Sequence, residues 1–312
     1  MLEMLRQKTV CTAASMRGKA LHCGQEISVT LRPAPPDTGV VFNRIDVKRA
    51  KPIEAVAHNV VDTSRATTLG FDDLRVATVE HLLSALRGLG VDNVYVDVDG
   101  PELPAGDGSS ATYVELIKRA GLQPQAAARR IAVLRKTIEV RDGDKWARLS
   151  PSSRFTVDCR IDFEHPLIGE QRLQVDFTDT SYEREVAGAR TFAFFHEVEW
   201  LRSQGLAQGG SLDNCIVIDG DHILNTDGLR YADEFVRHKV LDVVGDLALY
   251  RPPLICKMTC HKTGHELHRK LIQALIADDE ACTVVVPRAA RSLTRIGVHL
   301  PDWAPASAPL AA

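Results

Sequence analysis

The chain has 312 residues, a net charge of −3 and 45% hydrophobic residues. This length exceeds one typical hydrophobic core and predicts two domains, while the slight acidity argues against a nucleic-acid partner. Seven dispersed cysteines without a CxxC pair favour free thiols in a reducing compartment. Residues 1–10 lack a signal-peptide pattern and no apolar run of about 18 residues occurs, so we expect a cytoplasmic protein with at most peripheral membrane contact.

The first half of the chain predicts short strands, then helix, strand and helix. Alternating or β-like segments occur at residues 7–14, 25–32, 39–45, 52–61, 66–78 and 93–99. Thr78 is the expected N-cap of a helix that begins at Val79 and ends near Gly88. A second helix is expected over residues 109–120, after a loop rich in proline and glycine.

A Gln/Ala/Arg-rich link at residues 123–130 marks the expected boundary between two domains, 1–126 and 127–300, before a loose Pro/Ala-rich tail at 301–312. Strands are expected at 131–141, 145–150, 154–163, 171–177, 215–219 and 254–260, with a hairpin turn at 142–144. Helices are expected at 179–187, 195–204, 233–250 and 264–277.

The two halves follow the same order of elements, which suggests an internal duplication. In each half the penultimate helix has a histidine, His81 or His238. A structural duplication would place these two histidines at equivalent positions, facing one cleft between the domains.

The helix over residues 233–250 combines an apolar pattern with His238, Asp242 and Asp246, which share one face. Burying such groups without partners is costly, and a divalent metal would satisfy His238 and Asp242 together. The alternative is an exposed polar stripe balanced by Arg237 and Lys239. The helix alone does not decide between them.

Glu80 and His81 form a second acid–imidazole pair, at the start of a helix. With His238 and Asp242, His81 completes a set of two nitrogen ligands and one oxygen ligand. A metal bound by this set has a fourth position open, as in catalytic zinc sites. Glu80 would then accept a proton from water. The competing interpretation of Glu80 is a solvated acid that is stabilised by the helix dipole.

Two further segments have candidate groups. His265 lies at the expected start of the last helix, where Asp246 could orient it, or it is a capping or surface histidine. His261 and His268 are interpreted as capping or surface histidines. Thr191 is either a helix cap or a hydroxyl donor to an oxyanion.

These segments closely resemble the UDP-3-O-acyl-N-acetylglucosamine deacetylases, the zinc enzymes of lipid A synthesis in Gram-negative bacteria. The similar stretches run nearly end to end and include Glu-His at 80–81, Asp-Gly-Ser at 107–109, Ala-Arg-Thr-Phe at 189–192, the segment 233–246 and Gly-His at 264–265. The resemblance implies an α+β fold of two similar domains, each a β-sheet with paired helices, packed helix layer to helix layer around an inter-domain active site.

The resemblance also implies roles for individual residues. Zn²⁺ would be held by His81, His238 and Asp242, and Glu80 would be the general base. His265, oriented by Asp246, would stabilise the oxyanion and protonate the leaving amine, with Thr191 as a further oxyanion donor.

The implied substrate is a small UDP-sugar with an acyl chain, bound by a monomer. Its diphosphate would meet Lys239 and Lys262, and its nucleotide would lie near Lys145, Asp162 and Phe163, with Phe163 beside the uracil; Phe192 is a further substrate contact. An insert at residues 198–217 would wall a passage for the acyl chain. Gln208 and Asn214 depart from the small apolar residues that such a passage favours, and Lys19 is unusual in its motif.

Two other classes of function are compatible with parts of the sequence. A metal-dependent phosphohydrolase could use the same ligands, but the chain lacks a His-Asp dipeptide and evident ligands for a second metal. A non-catalytic RNA-binding module would share the α/β architecture. The acidic balance and the His/Asp face of the helix oppose that reading.

Overall fold

The computed structural model describes residues 5–177 and 181–286. The described helices are α1 (Glu80–Gly88), α2 (Ala111–Ala120), α3 (Phe195–Ser203), α4 (Glu234–Leu247) and α5 (His265–Ala277), with a 3-10 turn at Ala57–Asn59 and a π-helical turn at Glu183–Ala187. The strands of the first half are β1 (Arg6–Val10), β2 (Ala14–Lys19), β3 (Glu26–Pro33), β4 (Val40–Arg44), β5 (Ile53–Glu54), β6 (Val60–Asp62), β7 (Thr68–Phe71), β8 (Leu74–Val76) and β9 (Val94–Val98).

The later strands begin with β10 (Leu122–Ala128), β11 (Ile131–Leu134), β12 (Ile138–Asp142), β13 (Lys145–Ser150), β14 (Thr156–Asp162) and β15 (Glu170–Asp176). They continue with β16 (Phe192–Phe194), β17 (Ile216–Asp219), β18 (His222–Ile223), β19 (Leu254–Ile255), β20 (Lys257–His261) and β21 (Cys282–Val285).

Two five-stranded sheets have the same topology. Their strand orders are β2-β3-β9-β4-β5 and β12-β13-β20-β14-β15. In each sheet one inner pair is parallel, β4 with β9 or β14 with β20, and the other neighbours are antiparallel. Helices α1 and α2 flank β9 in the chain as α4 and α5 flank β20. The predicted α+β fold with two similar halves is therefore confirmed.

The two halves meet through α1 and α4, which pack against each other. Both helices are buried along most of their length, with aliphatic side chains such as Leu82, Leu86, Val240 and Val244 in one hydrophobic core. The Ser84 hydroxyl donates to the Leu241 carbonyl across this contact, at 2.9 Å. Polar groups on these helices are consequently far from bulk water and need partners within the protein.

Each half has an additional small sheet before its first helix of the pair. Strands β6, β7 and β8 form one between β5 and α1, and β16, β17 and β18 form another, with α3, between β15 and α4. The segments that contain these sheets supply Thr67 and Phe192 to the site described below.

The prediction that Thr78 is the N-cap of α1 is wrong. The N-cap position is occupied by Val79, and Thr78 has a left-handed backbone with φ of 57°. The Thr78 hydroxyl instead donates to the Glu102 carboxylate at 3.1 Å. Glu102 also accepts the backbone N–H groups of His22 and Cys23, so tertiary hydrogen bonding outcompetes the local cap.

The expected link at residues 123–130 is mostly strand β10, which pairs antiparallel with β1. The segments 131–141 and 254–260, each expected as one strand, are divided into two strands that join different sheets. The predicted hairpin at 142–144 is present between β12 and β13. The domain limits 1–126 and 127–300 stay predictions, and the tail at 301–312 lies outside the described residues. Within the described ranges, no helix is both long and apolar enough to cross a membrane.

Candidate active site

The site is built on one face of α4. His238 and Asp242 are one helical turn apart and Asp246 follows one turn later, as the spacing predicts. All three side chains are buried, with exposed fractions of 2–3%. The exposed-stripe interpretation of this helix is therefore wrong, because the face points into the α1–α4 contact rather than towards solvent.

His81, in the first turn of α1, completes a cluster with His238 and Asp242. The Nε2 atoms of the two histidines are 3.2 Å apart, and Asp242 Oδ1 is 3.8 Å from His81 Nε2. Two nitrogens bound to one tetrahedral zinc at about 2.0–2.1 Å would be separated by about 3.4 Å. The spacing of the imidazoles thus fits a shared ion.

The polar atoms of this cluster are incompletely satisfied by the protein. Asp242 Oδ1 and His238 Nδ1 are buried and have no hydrogen-bond partner among residues 5–177 and 181–286. Burial lowers the pKa of His81 and lowers that of His238 to about 3, so both rings are neutral and can donate lone pairs. Burial raises the pKa of Asp242, but His238 and Lys239 outweigh it and hold the pKa below its usual range. A neutral–neutral–anionic donor set with an unpaired oxygen suits a divalent cation.

Glu80 lies beside His81 and is 3% exposed. Its Oε2 accepts the backbone N–H of Thr67 at 3.0 Å. Burial is the main cause that raises the pKa of Glu80, to about 8. These surroundings contradict the interpretation of Glu80 as a solvated acid at the helix end. They also bring the pKa of the carboxyl close to neutral pH.

Asp246 is the centre of a second cluster. Its Oδ2 is 2.7 Å from His265 Nδ1 and 2.6 Å from His268 Nδ1, and its Oδ1 accepts the Thr67 hydroxyl at 2.6 Å. Burial lowers the pKa of His265, but the charge and hydrogen bond of Asp246 outweigh it and raise that pKa to about 10. Burial likewise opposes ionisation of Asp246, yet His265 lowers the pKa of that carboxyl to about 2.

Two members of this cluster are absent from the sequence-based set. The interpretation of His268 as a capping or surface histidine is wrong, because the residue is 1% exposed. Its spacing of three from His265 on one helix does place both rings on one face. Thr67 precedes β7 and joins Glu80, through its N–H, to Asp246, through its hydroxyl. No local pattern marks Thr67, because its partners Glu80 and Asp246 are 13 and 179 residues away in the sequence.

Thr191 and Phe192 lie at the edge of the candidate metal-ligand cluster, which consists of His81, His238 and Asp242. The Phe192 ring packs edge-on against His238, with centroids 6.3 Å apart. The Thr191 backbone N–H donates to the Gly108 carbonyl at 2.8 Å. Buried Arg190 pairs with Glu234 at the start of α4, at 2.9 Å, so this segment is fixed relative to the ligand helix. The donor role of the Thr191 hydroxyl stays a prediction.

The expected nucleotide contacts form a neighbouring group. Lys262 Nζ lies 3.0 Å from Asp162 and 3.2 Å from Asp144. Phe163 contacts the Phe192 ring, with centroids 5.6 Å apart, so this group adjoins the metal-ligand cluster. Lys239 Nζ is instead 3.0 Å from Asp242 Oδ2. Lys145, at the start of β13, is exposed.

A cavity of about 340 Å³ opens beside Thr191 and Phe192. Most of its wall is apolar and comes from α3, the following loop and β17, including Val198, Leu201, Leu212 and Val217. Gln208 and Asn214 are not among its lining residues. Their amides bond within the insert, Gln208 to the Arg202 carbonyl and Asn214 to the Gly209 carbonyl, so these polar departures leave the cavity apolar.

Together the fold and site define a class: an α+β protein of two similar halves, with a buried candidate metal centre and acid–base groups between them. The sequence profile of the UDP-3-O-acyl N-acetylglycosamine deacetylases matches residues 7–277. The UDP-3-O-acyl-N-acetylglucosamine deacetylase of Myxococcus xanthus (strain DK1622) is 50% identical over 292 residues, which cover 94% of this chain and 93% of the relative. The chain therefore belongs to the UDP-3-O-acyl-N-acetylglucosamine deacetylase family, as the sequence motifs indicate.

Proposed function

We propose that the protein is a zinc-dependent deacetylase that hydrolyses the N-acetyl amide of UDP-3-O-(3-hydroxyacyl)-N-acetylglucosamine and releases acetate, a step of lipid A biosynthesis. Membership of the family supports the substrate and the reaction. The observation that favours a hydrolytic mechanism most is the arrangement of a candidate proton acceptor, Glu80, and a candidate proton donor, His265, beside an incompletely satisfied His/His/Asp cluster. Amide hydrolysis requires one group of each kind.

His81, His238 and Asp242 would hold the zinc ion. A zinc ion held there would supply a Lewis acid that polarises the amide carbonyl and lowers the pKa of water. Lys239 assists this ligand set, because its ammonium lies 3.0 Å from Asp242 Oδ2 and keeps that carboxylate ionised. Its predicted contact with the diphosphate remains part of the proposal.

Glu80 acts as the general base. Its carboxylate is buried next to His81, and burial strengthens it as a proton acceptor by raising its pKa to about 8. A base whose pKa is near the working pH transfers protons most effectively. The Thr67 N–H on Oε2 restrains the carboxyl group and leaves its other oxygen for the attacking water.

His265 acts as the acid that protonates the leaving amine and stabilises the oxyanion. Asp246 raises the pKa of His265 to about 10, so the ring is an imidazolium at neutral pH. The carboxylate accepts from Nδ1, which leaves the Nε2 proton for the substrate. Thr191 adds a hydroxyl donor to the oxyanion.

The substrate's remaining parts extend in two directions. Lys262 binds the diphosphate, and Asp162, Phe163 and Lys145 contact the nucleotide, with Phe163 beside the uracil. Phe192 lies between this group and the metal-ligand cluster. The apolar cavity of about 340 Å³ accepts the acyl chain, because transferring methylenes from water to such walls is favourable by about 0.8 kcal/mol each.

The experiment is metal analysis of purified protein combined with an acetate-release assay on the UDP-sugar. We expect about one zinc per chain, and activity that a chelator removes and zinc restores. A wild-type protein that binds zinc but releases no acetate would overturn the proposed reaction. Size-exclusion chromatography checks the accompanying proposal of a monomer, and cell fractionation checks the proposal of a cytoplasmic location.

A further inference from the structure

Three hydrogen-bond donors converge on the Asp246 carboxylate, and the reaction described above uses only one of them. Thr67 donates to Oδ1 at 2.6 Å. His265 and His268 both approach Oδ2, at 2.7 and 2.6 Å from their Nδ1 atoms. Their rings are nearly perpendicular, with centroids 6.2 Å apart, so the two histidines reach the same oxygen from different directions.

The hydrogen-bonding capacity of these groups determines where the protons lie. An ionised carboxylate only accepts hydrogen bonds, so both rings must present an N–H at Nδ1. The Nε2 of His268 is buried and has no hydrogen-bond partner among the described residues. His268 therefore donates from Nδ1 to the Asp246 carboxylate.

The two histidines also differ in their surroundings. The side chain of His265 is 11% exposed and that of His268 is 1% exposed. His265 begins α5 and can reach substrate, whereas His268 lies one turn further into the protein. The second ring is too deeply buried to exchange protons with substrate, and its hydrogen bond is to Asp246.

We propose that His268 is a positioning residue, which fixes the Asp246 carboxylate in the plane that supports His265. With Thr67 on one oxygen and His268 on the other, the carboxylate cannot rotate about its terminal bond without breaking a buried hydrogen bond. His265 then meets an acceptor whose direction is set in advance. This inference rests on the proposed function, since it gives Asp246 and His265 their roles in the same reaction.

The test compares three substitutions of His268 in the zinc-loaded enzyme. Asn places its amide N–H near the position of Nδ1, Gln places it near the position of Nε2, and Leu has no donor. We expect His268→Leu and His268→Gln to lower kcat by about 10–100-fold, as for other groups that orient a site residue, with KM unchanged. His268→Asn should recover most of that loss.

Gln273→Leu, at an exposed position of the same helix, is the matched control and should retain wild-type kcat. Thermal melting and zinc content identify variants that fail to fold or to bind metal. Nitrogen NMR of the wild-type holoenzyme gives a readout independent of activity, and it should place the His268 proton on Nδ1.

Several outcomes would overturn the inference. Wild-type kcat in His268→Leu, equal activity of the Asn and Gln variants, or a proton on Nε2 would each exclude positioning through Nδ1. Loss of one zinc equivalent in folded His268→Leu would make His268 a ligand in the alternative Asp246/His265/His268 group, whose ligand atoms lie within 4.8 Å of one another. If wild-type protein releases no acetate, the proposed function fails first, while the NMR result still tests the hydrogen bond.

Discussion

Helices α1 and α4 occupy equivalent positions in two halves whose five-stranded sheets have the same topology, but the two helices contribute differently to the site. α1 supplies Glu80 and His81 from its first turn, and its remaining buried positions are mainly aliphatic core. α4 supplies His238, Asp242 and Asp246 along three turns of one face. A duplicated scaffold therefore provides the place for the site, while the chemistry depends on what each copy carries there.

The small sheets that precede these helices differ in the same way. In the first, formed by β6 to β8, Thr67 lies immediately before β7 and forms hydrogen bonds with Glu80 and Asp246. The second, β16 to β18 with α3, provides apolar walls of the cavity. The corresponding insertions thus organise one centre in different ways, the first by hydrogen bonds and the second by apolar surface.

The largest effect is expected from removing the ligands that α1 and α4 share. His81→Ala, His238→Ala and Asp242→Ala should each lose zinc and nearly all activity, because each removes one of three protein ligands. Elemental analysis and acetate release measure both. His222→Ala, whose side chain is 76% exposed, is the control, and undiminished zinc in all three ligand variants would refute the assignment.

Glu80→Ala tests the distinctive contribution of α1. The variant should retain zinc and lose activity by about 10²–10⁴-fold, the usual contribution of a general base. The kcat of the zinc-loaded variant is the measurement, and Glu115→Gln, an exposed acid on α2, is the control. Near wild-type deacetylation at neutral pH would mean that Glu80 only stabilises the helix end.

The corresponding test of α4 concerns Asp246 and pH. Because Asp246 raises the pKa of His265 to about 10, the acid is available below that pH and is lost as pH rises through it. His265→Ala should lower kcat by about 10² or more. Asp246→Ala should lose less and move the alkaline limb of the rate profile to lower pH, since the largest influence that opposes burial of His265 is then removed. An unmoved limb would assign it to another group.

Gly245→Ala tests the close approach of the two helices. A Cβ on Gly245 would overlap the backbone oxygen of Glu80 and lie 3.0 Å from its Cα. We expect a loss of about 1–3 kcal/mol in the free energy of unfolding in urea and a kcat reduced by about tenfold through misplacement. Gly18→Ala, whose Cβ would come no closer than 3.4 Å to Pro104, should be tolerated; equal stability of the two variants would contradict the packing argument.

The smallest effect is expected for Lys262, outside the α1–α4 contact. Lys262→Ala should raise KM for the UDP-sugar by about tenfold, the value of one charge-assisted hydrogen bond, and weaken competition by UDP. Inhibition kinetics measure both, with Lys270→Ala as a control on α5. Unchanged competition by UDP would exclude a contact with the diphosphate.

The sequence by itself determined those features that follow from short-range spacing. A four-residue separation places His238 and Asp242 on one helical face whatever surrounds them, and the Gly143–Asp144 turn brings β12 back onto β13. The repeated order of elements likewise indicated two similar halves. Each of these inferences uses only the local geometry of helices, turns and strands.

Only the tertiary structure decided which polar groups meet. Thr78 satisfies the local preference for an N-cap, yet buried Glu102 takes its hydroxyl. Residues 122–128 have a linker-like composition, yet β1 supplies the partner that makes them a strand. Thr67 and His268 became part of the site because a buried carboxylate must fill its hydrogen-bonding capacity. That requirement is met by whichever donors the packed chain brings near, and spacing along the sequence does not identify them.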